Sequence, residues 1–195
     1  MIKIITLNGK KIGVTLIIIG LMLMLIVFEK NFDHRLKFAA LMHSNINSLK
    51  EYSILDNKYT YKLPEEWKTK KRQFQGKEII YHNEFASKDN NIYGFVQVWN
   101  INKSLKKFLE DSKQIALEQN VINDYKIEQF NVNNEKGYLV TYSLVDGKNY
   151  TYNSYEYFIK REEGFLRFSF FVRKENFKEN MPTIFQTIVN TLKII

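Results

Sequence analysis

Phe165-Leu-Arg-Phe-Ser-Phe-Phe-Val-Arg173 is the stretch that decides the fold. It holds no Pro or Gly and is rich in aromatic residues, the composition of a β-strand. Leu166, Phe168, Phe170 and Val172 alternate onto one side, and Phe171 lies on the other. A nearby stretch behaves alike, with Tyr138, Val140, Tyr142 and Leu144 opposing Leu139 and Val145. An antiparallel sheet with one wet face alternates more cleanly between apolar and polar residues. Apolar residues on both sides therefore predict an α+β fold, an antiparallel sheet with helices on both faces.

Working outward, strands are expected near residues 125–132, 138–145, 150–160 and 165–173. They are joined by turns at residues 133–137, at Asp146-Gly147 and at Glu162-Glu163-Gly164. Asp-Gly between alternating runs is among the strongest hairpin signals, and Gly164 can supply the φ > 0 residue of a slightly longer loop. Upstream, residues 78–85 and 92–101 read as a hairpin around Ser87-Lys-Asp-Asn-Asn91. Ser104 caps a helix running to about residue 119, with Leu105, Phe108, Leu109 and Ala116 on one face. Downstream, Phe177, Met181, Ile184, Phe185, Ile188 and Leu192 form an apolar helical stripe. Pro182 fits only in a first turn, which sets the start of that helix at Asn180 or Met181.

At the head of the domain stands Tyr59-Thr-Tyr-Lys-Leu-Pro-Glu-Glu-Trp67, a strand through Leu63 that Pro64 stops. This opening, followed by a hairpin, one helix, a strand meander and a closing amphipathic helix, resembles the PsbP-like family over residues 54–195. The resemblance implies an α/β/α sandwich on an antiparallel sheet, usually a non-enzymatic extracytoplasmic or lumenal domain. The best-known relatives are extrinsic subunits that help photosystems retain inorganic ions; no ion-ligand residue of this chain matches theirs. Many bacterial relatives are lipoproteins, and this chain departs from them in having no Cys.

Residues 12–28 (IGVTLIIIGLMLMLIVF) carry no charge and no Pro. As a helix the run spans about 25 Å, just short of a ~30 Å hydrocarbon core. It ends in Phe28-Glu-Lys-Asn-Phe32, with no small-residue cleavage site, which favours an uncleaved signal anchor over a cleaved signal peptide. Lys10-Lys11 directly before the run favours a cytoplasmic tail (residues 1–11) and a domain outside the cell membrane. Residues 29–50 then read as a juxtamembrane stalk, helical at first, and residues 51–195 as one domain.

Composition narrows the function. Six of the 29 basic and two of the 21 acidic residues precede Ile46, so the net charge of +8 divides into +4 around the anchor and +4 on the domain. A nucleic-acid binder shows a stronger, clustered footprint, and nucleic acid is not an expected partner. The absence of Cys removes disulfides, thiolate metal sites and thiol catalysis. No P-loop, G-x-G-x-x-G or G-x-S-x-G occurs. His82 and Glu84 share one strand face and could hold a metal only with a third ligand from elsewhere. Adjacent acids at Glu65-Glu66, Glu110-Asp111 and Glu162-Glu163 do not converge as catalytic carboxylates must. No enzyme, cofactor or metal is expected.

Two surfaces remain as binding candidates. Lys68, Lys70, Lys71 and Arg72 form a basic cluster after Trp67 that could touch anionic lipid or wall polymer, set against a plain solvated loop. Tyr150, Tyr152, Tyr155 and Tyr157, with Trp99 nearby, could form an aromatic surface, set against ordinary sheet packing. The expected function is that of a single-pass accessory or scaffold protein. It would contact the bilayer through its N-terminal helix and a protein partner outside the cytoplasm. The alternative is a subunit of an envelope transport or conjugation assembly with a nuclear-transport-factor-like domain.

Overall fold

The computed structural model describes residues 18–24, 39, 41, 46–118, 122–133 and 135–195. Its strands are β1 (Leu49–Ile54), β2 (Tyr59–Pro64), β3 (Lys68–Lys71), β4 (Ile79–Ala86), β5 (Ile92–Trp99), β6 (Ile122–Val132), β7 (Glu135–Val145), β8 (Thr151–Lys160), β9 (Phe165–Arg173) and β10 (Lys193–Ile194). Helix α1 (Leu105–Glu118) falls between β5 and β6, and α2 (Met181–Val189) between β9 and β10. Seven strands form one sheet in the order β3-β4-β5-β9-β8-β7-β6, and β1-β2-β10 form a second. All pairings are antiparallel.

The deciding stretch is β9, fourth in the order of seven, with β5 on one side and β8 on the other. That central place is why both of its faces are apolar. Leu166, Phe168, Phe170 and Val172 join Val96, Val98, Tyr157 and Ile159 in the larger core, beneath α2 and the small sheet. The Phe170 ring stacks on Phe185 of α2 at 4.4 Å. On the reverse face Phe165, Phe158 and Val140 pack against Leu105 and Leu109 of α1. A helix thus lies on each face, in the middle and at the end of the domain's chain order. The nuclear-transport-factor-like alternative normally places its helices before the sheet.

The local signals act as their chemistry requires. Ser104 Oγ accepts the Lys107 amide at the start of α1 (3.3 Å). Pro182 sits in the first turn of α2, where its missing N–H leaves no helical bond unmade. Gly164 adopts φ +85°; a Cβ there would lie 2.0 Å from the Trp99 carbonyl oxygen.

The structure corrects the sequence reading at several places. The strand at Tyr59 belongs not to the main sheet but to a second one, completed by β1 and β10, which Tyr59, Tyr61 and Leu63 seal onto the core. Leu49 and Lys50, assigned to the stalk, already belong to β1, and Leu41 and Ile46 pack on the core. The hairpin at Asp146-Gly147 is present, but its second strand starts at Thr151 rather than at Tyr150, because Val145 pairs with Thr151. Asp146 Oδ1 there accepts the amides of Lys148 and Tyr150, both at 2.9 Å, and Asn149 supplies the positive φ of 63°. The turn expected at 133–137 is shorter, since Val132 pairs with Glu135; Gly137 lies in β7, its Cα close against the Phe158 carbonyl.

The proposed anchor at residues 12–28 lies mostly outside the described residues. Residues 18–24 are helical, and their large apolar side chains are exposed. Among the described residues no helix is long and apolar enough to cross a membrane.

Candidate functional site

Helix α1 covers only part of the reverse face of the large sheet. On the rest, Tyr93 is exposed and Glu84, Phe95 and Phe171 are half-buried, while the β8 side chains Ser154 and Glu156 are buried. Tyr93 and Phe95 of β5 alternate onto this face, and Phe171 of β9 joins them, the Tyr93 ring stacking on Phe171 at 5.5 Å. Tyr93 also meets Tyr152 edge-on at 5.7 Å. Burial, then the neighbouring Tyr152, pushes the Tyr93 hydroxyl up to about 12. These aromatics floor a groove of about 420 Å³ whose far rim is Lys68, Lys70 and Glu84. Gly94 is required at that floor, because a Cβ would meet the Ser169 carbonyl oxygen at 1.8 Å.

Beside the groove runs a polar array. Trp99 Nε1, which can only donate, bonds Gln97 Oε1 at 2.8 Å. That orients the Gln97 amide so that its Nε2 donates to His82 Nδ1 (2.9 Å), which leaves the neutral ring's proton on Nε2. His82 Nε2 lies 3.4 Å from Glu84 Oε1, and the same oxygen takes Arg72 Nε at 2.7 Å. Burial lowers the His82 pKa, against the pull of Glu84. Next in line, Glu156 is 2% exposed and is held by Arg167 Nε at 3.0 Å, Arg167 Nη2 at 2.8 Å and the Tyr142 hydroxyl at 2.7 Å. The Arg167 guanidinium sits between the Phe95 ring (5.0 Å) and the Phe158 ring (5.4 Å). Burial opposes that charge and Glu156 more than offsets it, so the Arg167 pKa is raised. Burial and then Glu156 raise Tyr142, and they push Tyr125 up to about 12.

The sequence candidates scatter across this framework. Trp67 is a core residue, its ring 5.2 Å from Phe85. Lys68, Lys70 and Lys71 are exposed on β3, the outermost strand of the large sheet, so the segment expected as a loop is an edge strand. Arg72 is tied to Glu84. Trp99 packs against Phe108 and Phe165 under α1. Tyr150 lies under the Arg173 guanidinium at 3.9 Å, and Tyr152 is nearly buried, its hydroxyl donating to Asp146 at 3.2 Å. Tyr155 and Tyr157 face the larger core.

The register separates the two halves of the expected aromatic surface. Trp99 pairs with Phe165 at one end of β9, and Tyr152 pairs with Arg173 at the other. Eight residue steps at ~3.4 Å each put them roughly 27 Å apart. What joins the Tyr152 end to the lysine edge is Tyr93, Phe95 and Phe171, which the sequence reading did not select.

His82 and Glu84 do share a face, but Glu84 is shared with Arg72. No group of three His, Cys, Asp or Glu side chains gathers among the described residues. The adjacent acids are spread over separate partners, Glu66 with Lys88 (3.1 Å) and Asp111 with Lys103 and Lys107. What the arrangement offers is recognition: aromatic rings for apolar or planar groups, and ammonium groups for anions.

The sequence matches no protein-family model, and none of the curated proteins matches it. Solved structures do resemble it. One is the solution structure of cyanobacterial PsbP from Synechocystis, at TM-score 0.59 and 14% identity, over 77% of this chain and 94% of that one. Another is a protein from Bacteroides thetaiotaomicron, at TM-score 0.51 and 11% identity, over 75% of this chain and 48% of that one. At such identities the likeness carries the fold alone. The domain has a PsbP-like α+β fold built on antiparallel sheets.

Proposed function

We propose that this chain is a membrane-anchored, non-enzymatic accessory or scaffold protein whose domain binds a protein partner outside the cytoplasm. The observation that carries the reading is the groove of Tyr93, Phe95 and Phe171 beside the lysine strand β3. Aromatic area with a charged rim is the composition of a recognition surface. The uncharged run at residues 12–28 supports a single-pass anchor, and Lys10-Lys11 supports a cytoplasmic N-terminus. Leu41 and Ile46, packed on the core, support a short connection between anchor and domain, which would keep the domain near the bilayer and an envelope partner within reach.

The test is protease accessibility of a C-terminal tag in intact and lysed cells, coupled to a photo-crosslinker placed at Tyr93. The tag should be cleaved on intact cells, and the crosslinker should yield a discrete adduct that the same probe at Lys113 on α1 does not give. Protection of the tag until lysis overturns the extracytoplasmic placement. Equal labelling from both positions removes the groove as the binding surface.

A further inference from the structure

Resting on the reading of the domain as a partner-binding module, we propose that the free edge of β3 takes up an extended acidic segment of the partner as an added β-strand. The register supplies the first argument. Lys70 pairs with Glu84 and Lys71 with Asn83, and the Arg72 amide donates to the His82 carbonyl at 3.1 Å. In an antiparallel ladder, bonded and non-bonded pairs alternate. Lys68, Lys70 and Arg72 therefore spend their backbone groups on β4, while the N–H and C=O of Thr69 and Lys71 point away from the sheet.

Charge supplies the second argument. All four residues of β3 are exposed, and none of its lysines has a carboxylate within 4.0 Å among the described residues. The Lys71 ammonium rests over the Tyr81 ring instead, at 5.7 Å. Lysines on an edge strand repel a second copy of the same edge. The same charges admit a strand of opposite sign, so one device gives both solubility and choice of partner. Lys68 and Lys70 face the groove side and Thr69 and Lys71 the other. The fitting segment carries Asp or Glu at alternate positions, each across from a lysine at cross-strand distance. Main-chain bonds to Thr69 and Lys71 supply affinity, and the acids supply register.

The probe is a short fluorescent peptide alternating Glu and Thr, titrated into the full chain in non-ionic detergent and followed by anisotropy. Controls are the same peptide with alternate amides N-methylated, inorganic polyphosphate, and phosphatidylglycerol vesicles. The peptide should bind and slow hydrogen exchange over residues 68–71. Lys70→Glu should weaken it about tenfold. Thr69→Pro, which removes a donor that β4 does not use, should weaken it by a similar factor. Lys113→Glu on α1 should leave binding within about twofold. Should Thr69→Pro unfold by near-UV circular dichroism, the N-methylated peptide decides the matter.

Equal binding of the N-methylated peptide, or polyphosphate or vesicles binding as tightly as the peptide with dependence on Lys70, makes β3 a patch for anions and overturns strand addition. Absence of peptide binding overturns it too. A specific adduct at Tyr93 alongside either result leaves the proposed function standing and removes only the strand-addition mode.

Discussion

Replacing Arg167 by Met tests the account of the sheet's reverse face. Glu156 is 2% exposed, and three of the hydrogen bonds that hold its carboxylate come from Arg167 and Tyr142. Met keeps much of the apolar stem between Phe95 and Phe158 but removes both guanidinium bonds. A buried carboxylate left with one hydroxyl partner costs about 3–5 kcal/mol. For a domain of this size that lowers Tm by roughly 10 °C or more. Glu156→Gln in the wild-type background leaves the arginine charge without its partner and costs about 2–4 kcal/mol, somewhat less because the Arg167 side chain is 21% exposed and reaches water. The double variant Glu156→Gln, Arg167→Met carries no orphaned charge. It should be more stable than the sum of the two losses predicts by at least about 2 kcal/mol. Urea unfolding followed by the fluorescence of Trp67 and Trp99, both inside the domain, reads all three variants. Strictly additive losses, or a loss below about 1 kcal/mol for Arg167→Met, would refute the claim that this pair is a coupled buried unit.

Three further outcomes are expected. Gly164→Ala meets both a positive φ of 85° and the Trp99 carbonyl at 2.0 Å, so it should destabilise by more than about 2 kcal/mol in thermal melts; a neutral result would show that the loop has slack. Phe170→Ala, which empties the stack on Phe185, should cost about 3–5 kcal/mol, measured as a shift in urea midpoint at constant m-value. His82 gives a pH signature: its folded pKa lies below its unfolded value, so its contribution is complete above about pH 6.5 and is lost as pH falls through the folded value. His82→Gln should therefore flatten the decline in stability between about pH 7 and 5, and an unchanged slope would rule the histidine out as its source.

The main sheet was legible because its signals agree. In β9 composition, alternation and length point one way, and Phe165–Arg173 forms the strand with those very ends. Ser104 and Pro182 fixed the two helix starts because capping and the missing proline N–H are local chemistry. The readings that failed needed information from elsewhere in the chain. Leu49–Ile54 is a strand because β2 lies beside it, with only Ile54 fully buried, so no alternation marks it. Lys68–Lys71 has no apolar residue at all; it is a strand only because β4 offers its edge. The Asp-Gly pair marks the hairpin by propensity, yet Asp146 Oδ1 gathers the amides of Lys148 and Tyr150 and holds a loop that runs up to Thr151.

The candidate site was less legible for a related reason. An aromatic residue in a strand carries the same signal whether it faces a helix or water. Tyr157 and Tyr93 look equivalent in sequence, yet Tyr157 is 2% and Tyr93 40% exposed. What separates them is the face each takes: Tyr157 lies in the larger core with Phe168 and Phe185, whereas Tyr93 lies on the reverse face, away from the cluster that Leu105 and Leu109 of α1 build there. The lysines point to the surface in any reading, and only their pairing with Glu84 and Ala86 brings them to the rim of that uncovered ground. The proposed function rests on the part of the sheet left bare, and the length and placement of α1 determine how much that is. Variants that extend or shift α1 toward Phe95 should therefore close the groove without disturbing the larger core, and loss of the Tyr93 crosslink with an unchanged melting temperature would establish that separation.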